Sequence, residues 1–223
     1  MFNSIDVVRD ISYASEEEWA KIKLDYGKLL WDDTHLNSDN CAELLLIFKK
    51  CMEHFNLEFW LTYGTALGFY RDGDFIPWDD DIDTHVDGGE FLEAGINNIK
   101  DYLIEKGVVV RSRERGLNSK MSLFYKKEKL QVQGVYEEDG MIHAKLFFYP
   151  KEFYENWQSF TYRGEKYRLP GPADEYLTFC YDKDWKTPQD IKDWRDYMNP
   201  NQLKDEAWKS NQKKYLSLKE NLK

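Results

Sequence analysis

The run P-W-D-D-D-I-D-T-H-V-D, residues 77–87, constrains this chain more than any other stretch. It crowds Asp79, Asp80, Asp81, Asp83 and Asp87 around the apolar Ile82 and Val86. Side chains alternate between the two faces of a strand. A strand over about 80–86 therefore sets Asp79, Asp81, Asp83 and His85 on one face, and Asp80, Ile82, Thr84 and Val86 on the other. Ile82 and Val86 then point to a core. Carboxylates this close repel unless a cation lies between them. Asp81 and Asp83 are spaced so that both reach one hard cation such as Mg²⁺ or Mn²⁺.

The flanking patterns supply the rest of a fold. Residues 15–31 read as a helix, with Ser15 and Glu18 at capping-box spacing. From Ser38, the residues Cys41, Leu44, Leu45, Phe48, Met52 and Phe55 recur at helical spacing and form one apolar stripe. The segment F-W-L-T (59–62) reads as a buried strand leading into Gly64-Thr65 and a small-residue turn, and a helix is predicted from Gly88 to about Lys106. Beyond Gly107 the runs VVVRSR, KMSLFYKK, LQVQGVY and HAKLFFY alternate as strands, a hairpin is predicted around Gly164, and helices with a Lys-rich end follow Pro172. The expectation is an α+β fold: one domain over 1–223, a mixed sheet with flanking helices in a core of about 38–190, and helical N- and C-terminal extensions.

Composition narrows the function. A formal charge of −10 in 223 residues opposes binding to nucleic acid or an anionic membrane through the general field. Cys41, Cys51 and Cys180 are odd in number and show neither disulfide nor zinc spacing, so buried reduced thiols are expected. The first residues lack the pattern of a signal peptide, and no apolar run approaches the roughly 18–20 residues of a membrane span. A cytoplasmic protein with no transmembrane segment is the expectation.

Three chemistries suit the aspartates. One is a solvated acidic turn. A second is a calcium loop, since Asp79, Asp81, Asp83 and Glu90 take relative positions 1, 3, 5 and 12 of an EF-hand; Thr84 stands where that loop requires glycine. The third is a nucleotidyltransferase-like site. There a Gly-Thr turn, here Gly64-Thr65, brings backbone N–H groups to phosphate oxygens, and a D-x-D strand carries the metal.

Y-G-T-A-L-G-F-Y-R-D-G-D-F-I-P-W-D-D-D-I-D (63–83) resembles the signature of the LicD/fukutin family. Leu169-Pro170, Glu175-Tyr176-Leu177, Tyr181, Asp184-Trp185 and Pro188 are similar to that family's closing segment, and the likeness spans about 40–190. The resemblance implies a nucleotidyltransferase-like fold. It also implies transfer of a phosphorylated alcohol, such as phosphocholine or ribitol phosphate, from a CDP-linked donor to a sugar hydroxyl of a glycan or lipid-linked acceptor. Carried over by position, Asp81 and Asp83 hold the metal with support from Asp79, Gly64 and Thr65 contact donor phosphates, and Arg71 pairs with a phosphate. A salt bridge from Arg71 to an aspartate is the alternative.

The chain departs from that pattern in I-H-A-K-L-F-F-Y-P (142–150), where Lys145 stands at the place of a third carboxylate. Read as one strand beside the D-x-D strand, this segment turns His143, Lys145 and Phe147 into the cleft. Lys145 is then an electrostatic stabiliser, His143 a base, and His85 a substitute ligand or a hydrogen-bonded residue. A noncatalytic nucleotide- or glycan-binding relative is the alternative function.

Overall fold

The computed structural model describes residues 10–12, 14–22, 35–114, 116–144 and 147–188. A helix over 16–22 (α1) opens with the expected capping box: Ser15 N–H donates to Glu18 Oε2 at 2.7 Å, and Glu18 N–H donates to Ser15 Oγ at 3.1 Å. Helix α2, Ser38–His54, starts at Asn37, whose side chain accepts from Asn40 N–H, and buries Cys41, Leu44, Leu45, Phe48, Cys51 and Met52 along one face. Strand β1 (Phe59–Leu61), helix α3 (Tyr63–Asp72) and strand β2 (Ile82–Asp87) follow. The predicted helix over 88–106 is two helices, α4 (Gly88–Glu93) and α5 (Ile96–Glu105). Between them Gly95 takes φ +86, a left-handed conformation that ends a helical path.

The strands β3 (Val109–Arg113), β4 (Lys120–Tyr125) and β5 (Glu128–Glu138) match the alternating runs. H-A-K-L-F-F-Y departs from its reading as one strand. It divides into β6 (Met141–Ala144) and β7 (Phe147–Pro150), which pair antiparallel with Ala144 opposite Phe147. The pairing sets His143 opposite Phe148 and Ala144 opposite Phe147, so His143 and Phe147 do not share the face expected of them. Lys145 itself lies outside the described residues, as do the Lys-rich C-terminal helices. The predicted hairpin is β8 (Gln158–Tyr162) and β9 (Glu165–Leu169), turning at Arg163 and Gly164, both at positive φ. Helix α7 (Ala173–Tyr181) comes after the short α6 (Glu152–Glu155) and the hairpin.

The main sheet is mixed, in the order β1-β2-β5-β4-β3, with β6 on the far end of β5 and β7 beside β6. Among the described strands β2 and β5 are the pair that run parallel, placing Ile82 against Leu130 and Asp83 against Gln131. Register separates the faces. Ile82, Val86, Leu130, Val132, Met121, Leu123 and Val110 are all buried and join α2 and α5 in the core. The alternate positions, Asp83, His85, Lys129, Gln131, Gln133, Lys120 and Ser122, form the opposite face. The three cysteines are free and buried. Among the described residues no helix is long and apolar enough to cross a membrane.

Candidate active site

The site forms where α3 begins and β2 is entered. Thr62 N–H donates to the Asp83 carbonyl at 3.0 Å, and Asp83 N–H donates to Thr65 Oγ1 at 2.9 Å, so the first turn of α3 is tied to the start of the strand. Thr62 occupies the N-cap position of α3 without a capping hydrogen bond, and Tyr63 N–H donates to Tyr176 Oη at 3.5 Å. Tyr63, the first helical residue, has φ +48, a left-handed conformation unfavourable for a bulky side chain. A Cβ built on Gly64 would lie 2.1 Å from Asp79 Oδ2. A side chain at 64 would therefore displace the Asp79 carboxylate that packs on the glycine.

The aspartates differ from a single alternating strand. The ladder starts at Ile82, so Asp83 and His85 are strand residues while Asp79, Asp80 and Asp81 belong to the turn that precedes it. Without cross-strand hydrogen bonds nothing enforces alternation there. Asp80, expected on the far side, instead joins Asp81 in holding Lys129, whose Nζ lies 3.3 Å from Asp80 Oδ2 and 2.9 Å from Asp81 Oδ2. One oxygen each from Asp79, Asp80 and Asp81 falls within 4.8 Å of the others.

Asp79, Asp81 and Asp83 are half-buried, and the electrostatics follow from that. Burial raises the Asp79 carboxyl to about 7, with Asp81 adding repulsion. Burial also raises Asp83 well above the usual carboxylate range, and Asp81 and Asp79 push it further. Asp81 is raised by burial while Lys129 opposes the shift. Burial alone would lower Lys129, but the charges of Asp81 and Asp80 reverse this and hold its ammonium above the ordinary lysine range.

The other expected site residues fall in different places. Arg71 donates to the Asp72 carboxylate, with a 2.6 Å ion pair, and to the Trp185 carbonyl at 3.4 Å. It stands seven residues along α3 from Gly64, roughly 10 Å at 1.5 Å per residue. His85 is fully buried with Nδ1 2.6 Å from Tyr154 Oη, and Tyr63 packs edge-on against its ring. Burial lowers its imidazole to about 3, with Lys120 contributing, so it is a neutral hydrogen-bonded residue behind Tyr63. His143 stacks on Tyr136 and lies opposite it in the β5–β6 ladder. Tyr136 is five residues along β5 from Gln131, the partner of Asp83, roughly 16 Å at 3.3 Å per residue. His143 is thus too far to serve as a base at the aspartates. The strand beside the D-x-D strand is β5, and on the aspartate face it presents Lys129, Gln131 and Gln133 in place of a carboxylate.

Lys129 is the site residue that sequence reasoning missed. Its position in β5 has the same parity as Gln131 and Gln133, which marks a polar face, but its distance to Asp81 depends on which strands become neighbours. A second polar depression, by Arg111, Arg113 and Lys100, is already matched in charge: Glu16 pairs with both arginines and Asp10 with Lys100.

A parallel β2–β5 pair inside a mostly antiparallel sheet, with carboxylates at the strand entry beside an uncapped helix, defines a nucleotidyltransferase-like α/β domain. The family model described as LicD/FKTN/FKRP, nucleotidyltransferase domain, matches residues 56–176, and the chain belongs to that family. It is 28% identical over 169 residues to the ribitol-5-phosphate transferase FKTN of Homo sapiens, covering 70% of this chain and 35% of the relative. The Mus musculus protein of the same name is 27% identical over 166 residues. The chain thus spans about a third of the length of the curated relatives it matches. Among solved structures, the lincosamide antibiotic adenylyltransferase LnuA, lincomycin-bound, superposes with TM-score 0.44 at 18% identity, over 63% of this chain and 86% of that one. The solution structure of the antibiotic-resistance factor ANT(2'')-Ia gives 0.45 at 18% identity, over 81% and 95%.

Proposed function

We propose that this domain transfers a phosphorylated alcohol, ribitol phosphate or phosphocholine in type, from a CDP-linked donor to a sugar hydroxyl of a glycan or lipid-linked acceptor. The acceptor hydroxyl gives up its proton to solvent, its oxygen bonds to the phosphorus that carries the alcohol, the bond from that phosphorus to the CMP oxygen breaks, and CMP leaves. The observation that carries this reading is the half-buried group Asp79, Asp81 and Asp83 set against the first turn of α3. Membership of the family and the likeness to ribitol-5-phosphate transferases support it.

Mg²⁺ or Mn²⁺ fits this donor set. Its ligands are hard oxygens, and burial first, then repulsion from neighbouring carboxylates, raises the pKa values of Asp79 and Asp83, a cost that a cation relieves. Asp79 and Asp81 would hold the ion together with Asp83; the oxygens that converge within 4.8 Å are those of Asp79, Asp80 and Asp81, and the Asp83 carboxylate would have to turn toward them. When bound, it supplies charge to offset the phosphate oxygens. The chain supplies the remainder. Gly64 and Thr65 open the N-terminus of α3, where Tyr63 N–H already donates to Tyr176 Oη and the helix dipole favours an anion. Thr65 fixes the Asp83 backbone, and Lys129 and Lys120 place positive charge on the cleft floor, where it stabilises a transferring phosphoryl group.

The absence of a carboxylate from the aspartate face of β5 favours a second reading, a relative that binds the donor without turnover. CMP release from CDP-ribitol and CDP-choline, with Mg²⁺ and with chelator, separates the two. Metal-dependent release supports the transferase; metal-dependent binding with no release supports the binder.

A further inference from the structure

Lys129 is placed to report whether the aspartate site holds a metal. Its side chain is only 12% exposed, and its ammonium makes ion pairs with both Asp80 and Asp81. Those carboxylates belong to the group whose oxygens converge within 4.8 Å. An ammonium and a divalent ion cannot share these oxygens without mutual repulsion, so the binding of one weakens the other. The lysine stem is long and flexible and its head is a compact point charge, so a short swing changes its partner. The first turn of α3, uncapped and packed against Asp79 at Gly64, is an anion-accepting surface beside the same carboxylates. Of the floor's other polar side chains, Ser122 Oγ donates to Gln131 Oε1 and Gln133 Nε2 donates to the Asn118 and Gly134 carbonyls, while Lys120 is a second cation whose charge acts on Asp83.

We propose that Lys129 is an exchangeable counter-cation. It neutralises Asp80 and Asp81 while no metal is bound, and turns to the phosphates of a nucleoside diphosphate when a divalent ion takes those oxygens. The phosphate half rests on the transferase reading; the exchange at the carboxylates stands without it.

Calorimetric titration of the full chain with MgCl₂, and then with CDP at saturating Mg²⁺, tests both halves in the parent, Lys129→Met and Lys129→Arg. Without nucleotide, Lys129→Met should bind Mg²⁺ about tenfold tighter, since a competing charged hydrogen bond is gone, while Lys129→Arg stays near the parent. With Mg²⁺ present, CDP affinity of Lys129→Met should fall by roughly the same factor. Melting curves keep the test open if the methionine variant is unstable: Mg²⁺ should restore its Tm at lower concentrations than it shifts the parent. Mg²⁺ affinity that is unchanged or weaker in a folded Lys129→Met, or a melt that Mg²⁺ does not restore, overturns the exchange. Tighter Mg²⁺ with unaltered CDP affinity overturns the phosphate half. A parent that shows the exchange yet releases no CMP from any CDP-alcohol supports the exchange and overturns the transferase reading.

Discussion

The two faces of the central sheet follow opposite rules. On one, Ile82, Val86, Leu130 and Val132 pack against the apolar stripe of α2, and each is at most 1% exposed. On the other, the intervening positions of the same strands present Asp83, Lys129, Gln131 and Gln133, with Asp79 and Asp81 crowded at the strand entry. The first face lowers free energy by removing apolar area from water. The second raises it, because burial and mutual repulsion leave carboxylates poorly satisfied. A chain keeps such an arrangement where a ligand relieves it, so the core face accounts for the fold and the polar face for the chemistry.

The sharpest way to break this contrast is to neutralise one face only. Asp81→Asn combined with Asp83→Asn should lower CMP release by a thousandfold or so, about 4 kcal/mol, and remove Mg²⁺ binding in calorimetry while the melting transition stays cooperative. Retained metal affinity in that variant would end the assignment. The converse substitution, Leu130→Ala, empties a fully buried position and should cost about 3 kcal/mol in denaturant unfolding. Below its melting range it should leave Mg²⁺ affinity unchanged; a large loss of affinity would show that the faces are not separable.

A smaller effect tests the seam between them. Gly64→Val brings a side chain onto Asp79, so it should weaken Mg²⁺ binding by roughly tenfold, about 1.4 kcal/mol, with little loss of secondary structure by circular dichroism. Wild-type affinity in Gly64→Val would mean that Asp79 takes no part.

A further effect is on pH dependence. Asp79 holds its proton to about 7 in the folded chain, against an ordinary value of 3.8. Between those values the folded state binds more protons than the unfolded one, so the metal-free protein should lose stability as pH rises from 5 to about 7. Saturating Mg²⁺ or Asp79→Asn should flatten that decline in melting curves. A metal-free stability that climbs through this window would contradict the repulsion assigned to the cluster.

What was legible in the sequence divides along the same line. The Ser15–Glu18 capping box, the α2 stripe and the hairpin at Gly164 are set by neighbours in the chain, and they form as read. The aspartate run was legible as a cluster of carboxylates, and the structure brings Thr65 to it through the hydrogen bond from Asp83 N–H to Thr65 Oγ1. The alternation of Asp79 through His85 was not reliable, because residues before Ile82 have no strand partner to hold a pleat. Lys129 was hidden for a related reason. Its approach to Asp81 follows from the parallel β2–β5 pairing across some forty intervening residues, and local pattern carries no information on which strands become neighbours. The segment 142–150 reads as a strand paired with the D-x-D strand; β5 holds that paired place, while β6 pairs with the end of β5 and β7 with β6, and Phe147 and Tyr149 of β7 pack against Tyr63 and His85.

The polar face as the seat of metal and donor is tested most directly by a crystal structure of the chain with Mn²⁺ and CDP, using anomalous scattering to locate the metal. The account predicts a manganese peak on carboxylate oxygens of Asp79, Asp81 and Asp83, with the diphosphate against the first turn of α3 and Lys129 Nζ turned toward it. Manganese absent from these carboxylates, or a diphosphate seated instead by Arg111 and Arg113, would contradict it.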